Sequence, residues 1–445
     1  MNQIDSLLKL VASPIGLLLA IIGLGVFFYL QEKKNIILYL TSICLFFASF
    51  GKYSDAFMTA PSLWGPLEVV RNMGRPVTLL LFILICLMTF TSPHRNEWKI
   101  KIPTPLWGLI IVQYLILLKT MYYGNMMFAM IYFILYLLLL ITFAKGLRGR
   151  IKEWVDLDQL ALVIAIAGAI FVWVNTFQGA INRSAVVFIQ GRFSGTTGNP
   201  NHAAVFLATV FPCLLYFITK AKNGWSKLLW TSTAILGFYW LIASGSRTGL
   251  CMGVVSFLLF FSHKILFLLS RFIGFGFLVT IFLMVFPGLV EWSEVTEYVG
   301  WDLMSNRIDR SSENGMDTRA KIWQIQLNHF NNKPIFGSPV SGDRIIFGEN
   351  SWLGVAAQFG WSGLLPLLFF GFGVLNILRK LWRIRTKIPI HAGKCNLAFA
   401  GLTGILVGSF NEAILLGNIS FPVMALIIYL FIADKALEFS EQSFS

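Results

Sequence analysis

Charged side chains are scarce in this sequence. Only 13% of its 445 residues are Asp, Glu, Lys or Arg, whereas 56% are hydrophobic. Soluble globular domains carry about 25% charged and about 45–50% apolar residues. A chain of this composition has too few polar side chains to cover a water-soluble surface. Lipid is therefore the expected solvent.

Cysteine is also rare, and its spacing argues against two kinds of site. The sequence has no Cys-x-x-Cys pair, and every cysteine falls in or beside an apolar stretch. This pattern indicates neither a disulfide framework nor a metal site. We expect small apolar packing residues instead. The five cysteines are Cys44, Cys86, Cys213, Cys251 and Cys395.

Long apolar runs recur through the chain, for example at 125–144, 159–177 and 265–286. Each has the length of about 20 residues that a helix needs to cross a bilayer core of about 30 Å. No fixed-period repeat, low-complexity linker or soluble domain interrupts the pattern. The expected fold class is all-α, a polytopic transmembrane helix bundle of about 12–13 spans in which residues 1–445 form one integral membrane domain. Candidate spans begin near residues 11, 35, 76, 104, 125, 158, 202, 228, 249, 265, 359, 396 and 418.

The first span is expected to stay in the protein. No basic segment precedes it, and no small-residue cleavage site separates it from the next span, so a removable signal peptide is not expected.

Three connections between predicted spans are basic. The first lies at 145–152, the second at 220–227 and the third at 379–394, where six Lys or Arg occur without an acid. An excess of Lys and Arg marks cytoplasmic loops, so we expect all three on the cytoplasmic side. The net charge of +14 is then mostly a topology signal. Nucleic-acid binding is not expected, because the charges do not form one basic face.

The largest interruption of the apolar pattern lies at 287–352. It contains nine acids against six Lys or Arg, so it is net acidic in a basic protein. It also lies one span away from the third basic connection. We therefore expect a large extracytoplasmic loop between late spans, containing short helices.

One helix is predicted within this loop, beginning after Asp317 as its N-cap. Arg319 lies four residues before Trp323, so it should project from the buried side of the helix and need a partner or a ligand there. The apolar side of the predicted helix comprises Ile322, Trp323, Leu327 and Phe330.

Two polar clusters are predicted at the outer ends of spans before this loop. The first is a turn-rich segment at 191–202; as a plain loop it would end at an N-cap, Asn201. The second is the tight connection at 244–249, where Arg247 either snorkels to the interface or meets a ligand that the flanking glycines let approach. The candidate binding residues of the first cluster are Arg192, Asn199, Asn201 and His202.

Two further clusters follow. The third combines Arg319 with the segment at 334–337, and the fourth contains Glu349 and Asn350 before the eleventh predicted span. A Glu-Asn pair there is also compatible with a solvated helix start. Glu412 lies near the outer end of the twelfth span and is a candidate, because acids inside membranes are functional by default.

The order of four motifs resembles the superfamily of O-antigen ligases and O-antigen polymerases, which are undecaprenyl-pyrophosphate-dependent membrane glycosyltransferases. The motifs are "SRTG" from Ser246, "TRAKIW" from Thr318, "NKPIFGSPVSG" from Asn332 and "ENSWLGVAAQFGWSGLL" from Glu349. The similarity covers about residues 192–365.

The resemblance implies a GT-C-like bundle in the bacterial inner membrane with its active site facing the periplasm. It implies inverting, metal-independent transfer of a glycan from undecaprenyl pyrophosphate to a hydroxyl of a glycan acceptor. Arg247 and Arg319 match the family's pyrophosphate-binding arginines. Glu349 stands where the ligases carry histidine, which favours a repeat-unit polymerase of O-antigen or exopolysaccharide. A ligase acting on lipid A core in lipopolysaccharide synthesis and a protein O-oligosaccharyltransferase stay open.

The residue types suit this chemistry. A pyrophosphate leaves readily when a metal ion or fixed guanidinium groups neutralise its developing charge. No Asp-x-Asp or comparable cluster occurs at an outer helix end, so we expect arginines in this role and no metal or other cofactor. Arginine binds phosphate oxygens bidentately and keeps its charge. Glu349 is the expected general base, since partial burial would raise its pKa towards neutrality.

A secondary transporter or flippase for lipid or polysaccharide is the alternative from another class. Transport sites lie near the membrane midplane on broken helices, often in repeated halves. Here the candidate charges are predicted at one interface and no repeat is visible. Glu412 is the residue that favours transport.

Overall fold

A computed structural model of the chain describes eight stretches of residues, which are 35–50, 63–92, 100–123, 126–189, 191–262, 318–338, 350–417 and 419–444. Within them the protein consists of α-helices and one small two-stranded sheet. The helices are α1 (Ile36–Ala48), α2 (Gly65–Thr91), α3 (Leu106–Tyr122), α4 (Met126–Gly146), α5 (Leu157–Ile181), α6 (Pro200–Lys220), α7 (Gly224–Ala243), α8 (Arg247–Phe260), α9 (Thr318–Asn332), α10 (Ser351–Lys387), α11 (Ala392–Ser409) and α12 (Phe421–Phe444).

The all-α class is confirmed for the described residues. Eleven predicted spans coincide with helices, and those near residues 11 and 265 lie outside the described stretches. The number of spans stays a prediction. Several helices are long and apolar enough to cross a membrane, which is consistent with a membrane protein. By length and composition these are Ala129–Arg150, Trp154–Ile181, Pro200–Lys220, Ser351–Lys387 and Pro389–Ser409.

Two helices begin earlier than predicted. The span expected near residue 76 starts at Gly65 and contains Pro76 in its interior. The span expected near residue 359 starts at Ser351. In α2 the turns before Pro76 contain Glu68, Arg71 and Arg75, which lower the hydropathy. In α10 the additional residues form the segment before a break at Gly360.

Helix α10 is interrupted at Gly360, whose φ of 60° and ψ of −150° are not helical. In a continuous helix the Cα atoms of Trp352 and Gly371 would lie about 28 Å apart, at about 1.5 Å per residue. Instead, a Cβ atom on Gly371 would lie 2.7 Å from the Trp352 indole. Residues 351–359 therefore fold back against residues 361–371. We refer to residues 351–359 as the half-helix.

The basic connections meet at one end of the bundle. Lys220 and Lys394 both form ion pairs with Asp158, the latter at 3.5 Å. Trp154, just after the first basic connection, stacks on His391 in the third, with ring centroids 4.2 Å apart. All three connections thus share one end, as predicted, and we call it the basic end. Its orientation in a membrane stays a prediction.

Helix α12 lies in the centre of the bundle. Its residues from Val423 to Ala433 are buried on every side, as expected for a helix that is apolar all round. The polar group of Tyr429 is satisfied there, because its hydroxyl donates to the Thr209 carbonyl oxygen at 2.7 Å. The core around α12 fixes the positions of the helix ends that carry the polar clusters.

The cysteine prediction holds for most positions. All five cysteines are free, and three are buried, whereas Cys251 is exposed on α8. Cys213 is more than an apolar filler, because its sulfur lies 3.2 Å from the Tyr429 hydroxyl.

The predicted amphipathic helix in the large loop corresponds to α9, with one correction to its buried face. Leu327 is 44% exposed, whereas Gln326 is buried. The reason is helical geometry, since position 326 lies between Ile322, Trp323 and Phe330 around the helix axis and position 327 lies at the edge of that face. Asp317, the expected N-cap, is outside the described residues.

Candidate functional site

The first and second polar clusters come together around Arg192. This residue lies on strand β2 (Arg192–Phe193), which pairs antiparallel with β1 (Val187–Ile189). Arg192 Nε donates to the Ser244 carbonyl oxygen at 2.6 Å, and its Nη2 donates to Asn201 Oδ1 at 3.0 Å. Its guanidinium group is therefore held in one position by a neighbouring segment, at Asn201, and by a distant one, at Ser244, which lies 52 residues after Arg192.

Arg247 is the first residue of α8 and its side chain is exposed. Ser246 is the N-cap, since its hydroxyl accepts from the Gly249 N–H at 3.3 Å. A cation at a helix N-terminus is normally unfavourable, because the helix dipole already places positive charge there. The combination of an arginine and a helix N-terminus favours binding of an anion.

The start of α6 differs from the prediction in one respect. Asn199, and not Asn201, is the N-cap, because its Oδ1 accepts from the backbone N–H groups of Asn201 and His202. Pro200 explains the shift, since proline prefers the first position inside a helix. Asn201 is then free to hold Arg192, and the His202 side chain is exposed.

The fourth cluster is joined to the loop that follows α11. Asn350 is the N-cap of α10, and its Nδ2 donates to the Phe410 carbonyl oxygen at 2.7 Å. Both polar atoms of its buried side-chain amide are thus used structurally, since Oδ1 caps α10 and Nδ2 holds the loop after α11. Ser351 is fully buried and donates to the Glu412 carbonyl oxygen at 2.9 Å. The half-helix therefore begins beside Glu412, which is itself 9% exposed.

Both groups of residues lie at the same end of the bundle, opposite to the basic end. Helix α8 packs antiparallel on α11: Ser256 Oγ donates to the Ala400 carbonyl oxygen at 3.2 Å, and a Cβ on Gly408 would lie 2.4 Å from Met252 Sδ. The start of α8 at Arg247 is consequently next to the end of α11, which precedes Glu412. We call this the loop end.

The third cluster docks on the break in α10. The turn at 334–338, which follows α9, forms three backbone hydrogen bonds with residues around Gly360. Arg319 lies in the first turn of α9, but its side chain is outside the described residues, as is the whole of Glu349. Their predicted roles stay predictions. Glu349 directly precedes Asn350, so the chain places it at the start of the half-helix.

Two residues that the sequence interpretation did not single out belong to this end. Ser351 holds the Glu412 loop, and Lys119 of α3 donates to the carbonyl oxygens of Phe336 and Gln358 beside the α10 break. A lysine near the end of an apolar helix is usually explained by snorkelling. A serine after an N-cap carries no signal of its own.

Metal ligands do not gather in the part of the chain that the structure describes, where no three His, Cys, Asp or Glu side chains come together. Among the described residues, Arg192 and Arg247 bring positive charge to the polar clusters at the loop end. In comparisons with known proteins, no family model and no curated sequence matches this chain. The resemblance drawn from the four motifs therefore stays a prediction.

Proposed function

We propose that this protein is a membrane glycosyltransferase that transfers a glycan from undecaprenyl pyrophosphate to a sugar hydroxyl. The observation that supports it best is the meeting of two distant motifs at the loop end, where Arg192 is fixed by Ser244 and Asn201 and Arg247 opens α8. Two guanidinium groups and a helix N-terminus are a suitable receptor for a pyrophosphate.

The reaction assigns one role to each group. The acceptor oxygen attacks the anomeric carbon of the donor sugar from the face opposite to the pyrophosphate, and the bond between that carbon and the phosphate oxygen breaks. The pyrophosphate leaves with the electron pair, and Arg247 and Arg319 stabilise its charge. Glu349 accepts the proton of the attacking hydroxyl. The anomeric centre is inverted, and the arginines take the place of a metal ion.

The most specific form of this proposal is a repeat-unit polymerase in the bacterial inner membrane with the loop end facing the periplasm. The acid at position 349 supports it, since the ligases that this chain resembles carry histidine there. Transfer of the finished glycan to lipid A core, or to protein, is the alternative within the enzyme class. The donor's lipid would lie in the bilayer beside the helices.

The break at Gly360 is a structural observation that favours a transporter, because transport sites use broken helices. In transporters the exposed backbone groups of a break bind the ion or substrate. Here the turn at 334–338 and Lys119 bind them instead. The break is filled by the chain itself, which supports the enzyme over the transporter.

The test is transfer by the purified protein in vesicles supplied with a lipid-linked repeat unit. We expect products that differ by one repeat unit, with release of undecaprenyl pyrophosphate. Arg247→Ala should abolish both while the protein still folds. Arg183→Ala is the matched control, because Arg183 is an exposed arginine in a nearby loop. Movement of the lipid-linked unit across the vesicle membrane without joining would instead identify a transporter.

A further inference from the structure

The break in α10 leaves backbone groups that a continuous helix would pair internally. The carbonyl oxygens of Ala357 and Gln358 lose the N–H donors that lie four residues later, and these donors, on Trp361 and Ser362, lose their acceptors. Unpaired backbone groups are strongly unfavourable inside a membrane, and irregular backbone is tolerated there only where protein covers it. Other groups of the chain must satisfy these four.

The turn at 334–338 satisfies three of them. Gly337, with a φ of 72°, lets the turn approach closely, because a Cβ atom there would lie 2.2 Å from the Gln358 carbonyl carbon. The turn donates one hydrogen bond to the backbone around Gly360 and accepts two from it. The bonds are Trp361 N–H to Pro334 O (2.7 Å), Ser362 N–H to Ile335 O (3.2 Å) and Ser338 N–H to Ala357 O (3.0 Å).

Lys119 satisfies the fourth. Its ammonium group donates to the Gln358 carbonyl oxygen and to that of Phe336, the latter at 3.1 Å. It also lies 4.9 Å from the centroid of the Phe359 ring. One side chain thus connects α3, the turn and the half-helix. It stands at the C-terminal end of the half-helix, where the helix dipole favours a cation.

We propose that Lys119 is a positioning residue for the transfer proposed above. By bonding to the turn and to the end of the half-helix, it closes the bend of α10 at Gly360, which we call the apex. This closure fixes the opposite end of the half-helix. That end begins at Asn350, about 12 Å from Gln358 at about 1.5 Å per residue, and Glu349 directly precedes Asn350 in the sequence. The inference rests on the proposed function for its effect on catalysis. The closure of the apex stands on the contacts alone.

The half-helix is attached to other segments at both of its ends. At its start, Asn350 and Ser351 are bonded to the loop that carries Glu412. At its end, the turn at 334–338 attaches α9, whose first turn contains Arg319. A shift at the apex is therefore passed both to the proposed base and to one of the proposed phosphate-binding arginines. An error of about 1 Å in such positions lowers turnover by about 100-fold.

The experiment compares Lys119→Met, which keeps the length and removes the charge and donors, with Lys119→Arg, which keeps both. The first readout is amide hydrogen exchange at residues 334–338 and 358–362 in the full-length protein. The second is kcat and KM for lipid-linked repeat units. The matched control is Lys145→Met, because Lys145 also lies near a helix end over a phenylalanine ring, at 5.3 Å from Phe90, but at the basic end.

In the methionine variant we expect exchange at the two segments to rise about tenfold and kcat to fall by about 10- to 100-fold, with KM changed less than kcat. The arginine variant should recover most of both values, and the Lys145 control should match the wild type. Unchanged exchange in Lys119→Met would refute the closure. Faster exchange with unchanged kcat would refute the positioning role. If the wild type transfers no glycan, the proposed function fails, and the exchange data still decide the closure.

Discussion

The hydroxyl of Ser351 is predicted to stabilise the loop end more than any other single serine contact there. It donates to the Glu412 carbonyl oxygen at 2.9 Å and accepts from the N–H groups of Ile414 and Leu415 at 3.0 and 3.3 Å. The side chain is fully buried. Ser351→Ala would remove this partner from one acceptor and two donors, of which the Glu412 carbonyl oxygen and the Ile414 N–H also bond to each other at 2.9 Å.

A buried polar group that loses its partner costs about 1–3 kcal/mol. This cost falls mainly on the Leu415 N–H, because the Glu412 carbonyl oxygen and the Ile414 N–H keep their bond to each other. We expect Ser351→Ala to lower the free energy of unfolding by about 1–3 kcal/mol. Reversible unfolding in mixed detergent micelles measures this difference. Amide exchange at Ile414 and Leu415 should increase in parallel.

Ser362→Ala is the matched control. Ser362 is on the same helix, but its hydroxyl bonds only to the Phe359 carbonyl oxygen three residues earlier, at 2.6 Å, in a half-buried position. That substitution should cost less than about 1 kcal/mol. Equal losses in the two variants, or a Ser351→Ala loss below about 1 kcal/mol, would contradict the assignment of Ser351 as the group that holds the Glu412 loop.

Three further predictions concern the transfer reaction. Arg247→Lys and Arg319→Lys should restore little of the activity lost in the alanine variants, because lysine lacks the bidentate contact with phosphate; full activity would refute that contact. Transfer should persist in EDTA, since the motifs contain no paired acids of a metal site; a loss reversed by Mg²⁺ would assign a metal instead. Glu349→Gln should slow turnover by about 10²- to 10⁴-fold without preventing donor binding, and Glu349→His should retain some transfer with its pH profile moved upward.

Hydropathy predicted the helices well because most described spans are apolar runs bounded by short polar connections. The basic connections were placed together for a similar reason. Lys220 and Lys394 lie in different loops, and both form ion pairs with Asp158. Such contacts are possible because alternate loops of a helix bundle lie on the same side. This part of the fold depends on composition and length, which a single sequence displays directly.

The site was predictable as a set of residue types and not as a set of contacts. Arg192 and Ser244 were assigned to two separate clusters, and only the fold shows that the guanidinium of one binds the carbonyl of the other. The N-cap was misassigned to Asn201 although Pro200 precedes it, and the preference of proline for the first helical position could have corrected this from the sequence.

The folded-back half-helix could not be read from hydropathy, because a helix that reverses at Gly360 has the same apolar profile as one that continues. The deciding information is in the partners of four backbone groups, and these come from a turn and a lysine distant in sequence. A glycine inside an apolar run can break a helix there only when other groups of the chain form hydrogen bonds with the backbone groups that the break leaves unpaired. In this protein the groups that complete the break also attach the segment carrying Arg319 to the segment that follows Glu349, so the irregularity in α10 is what links the two halves of the proposed site.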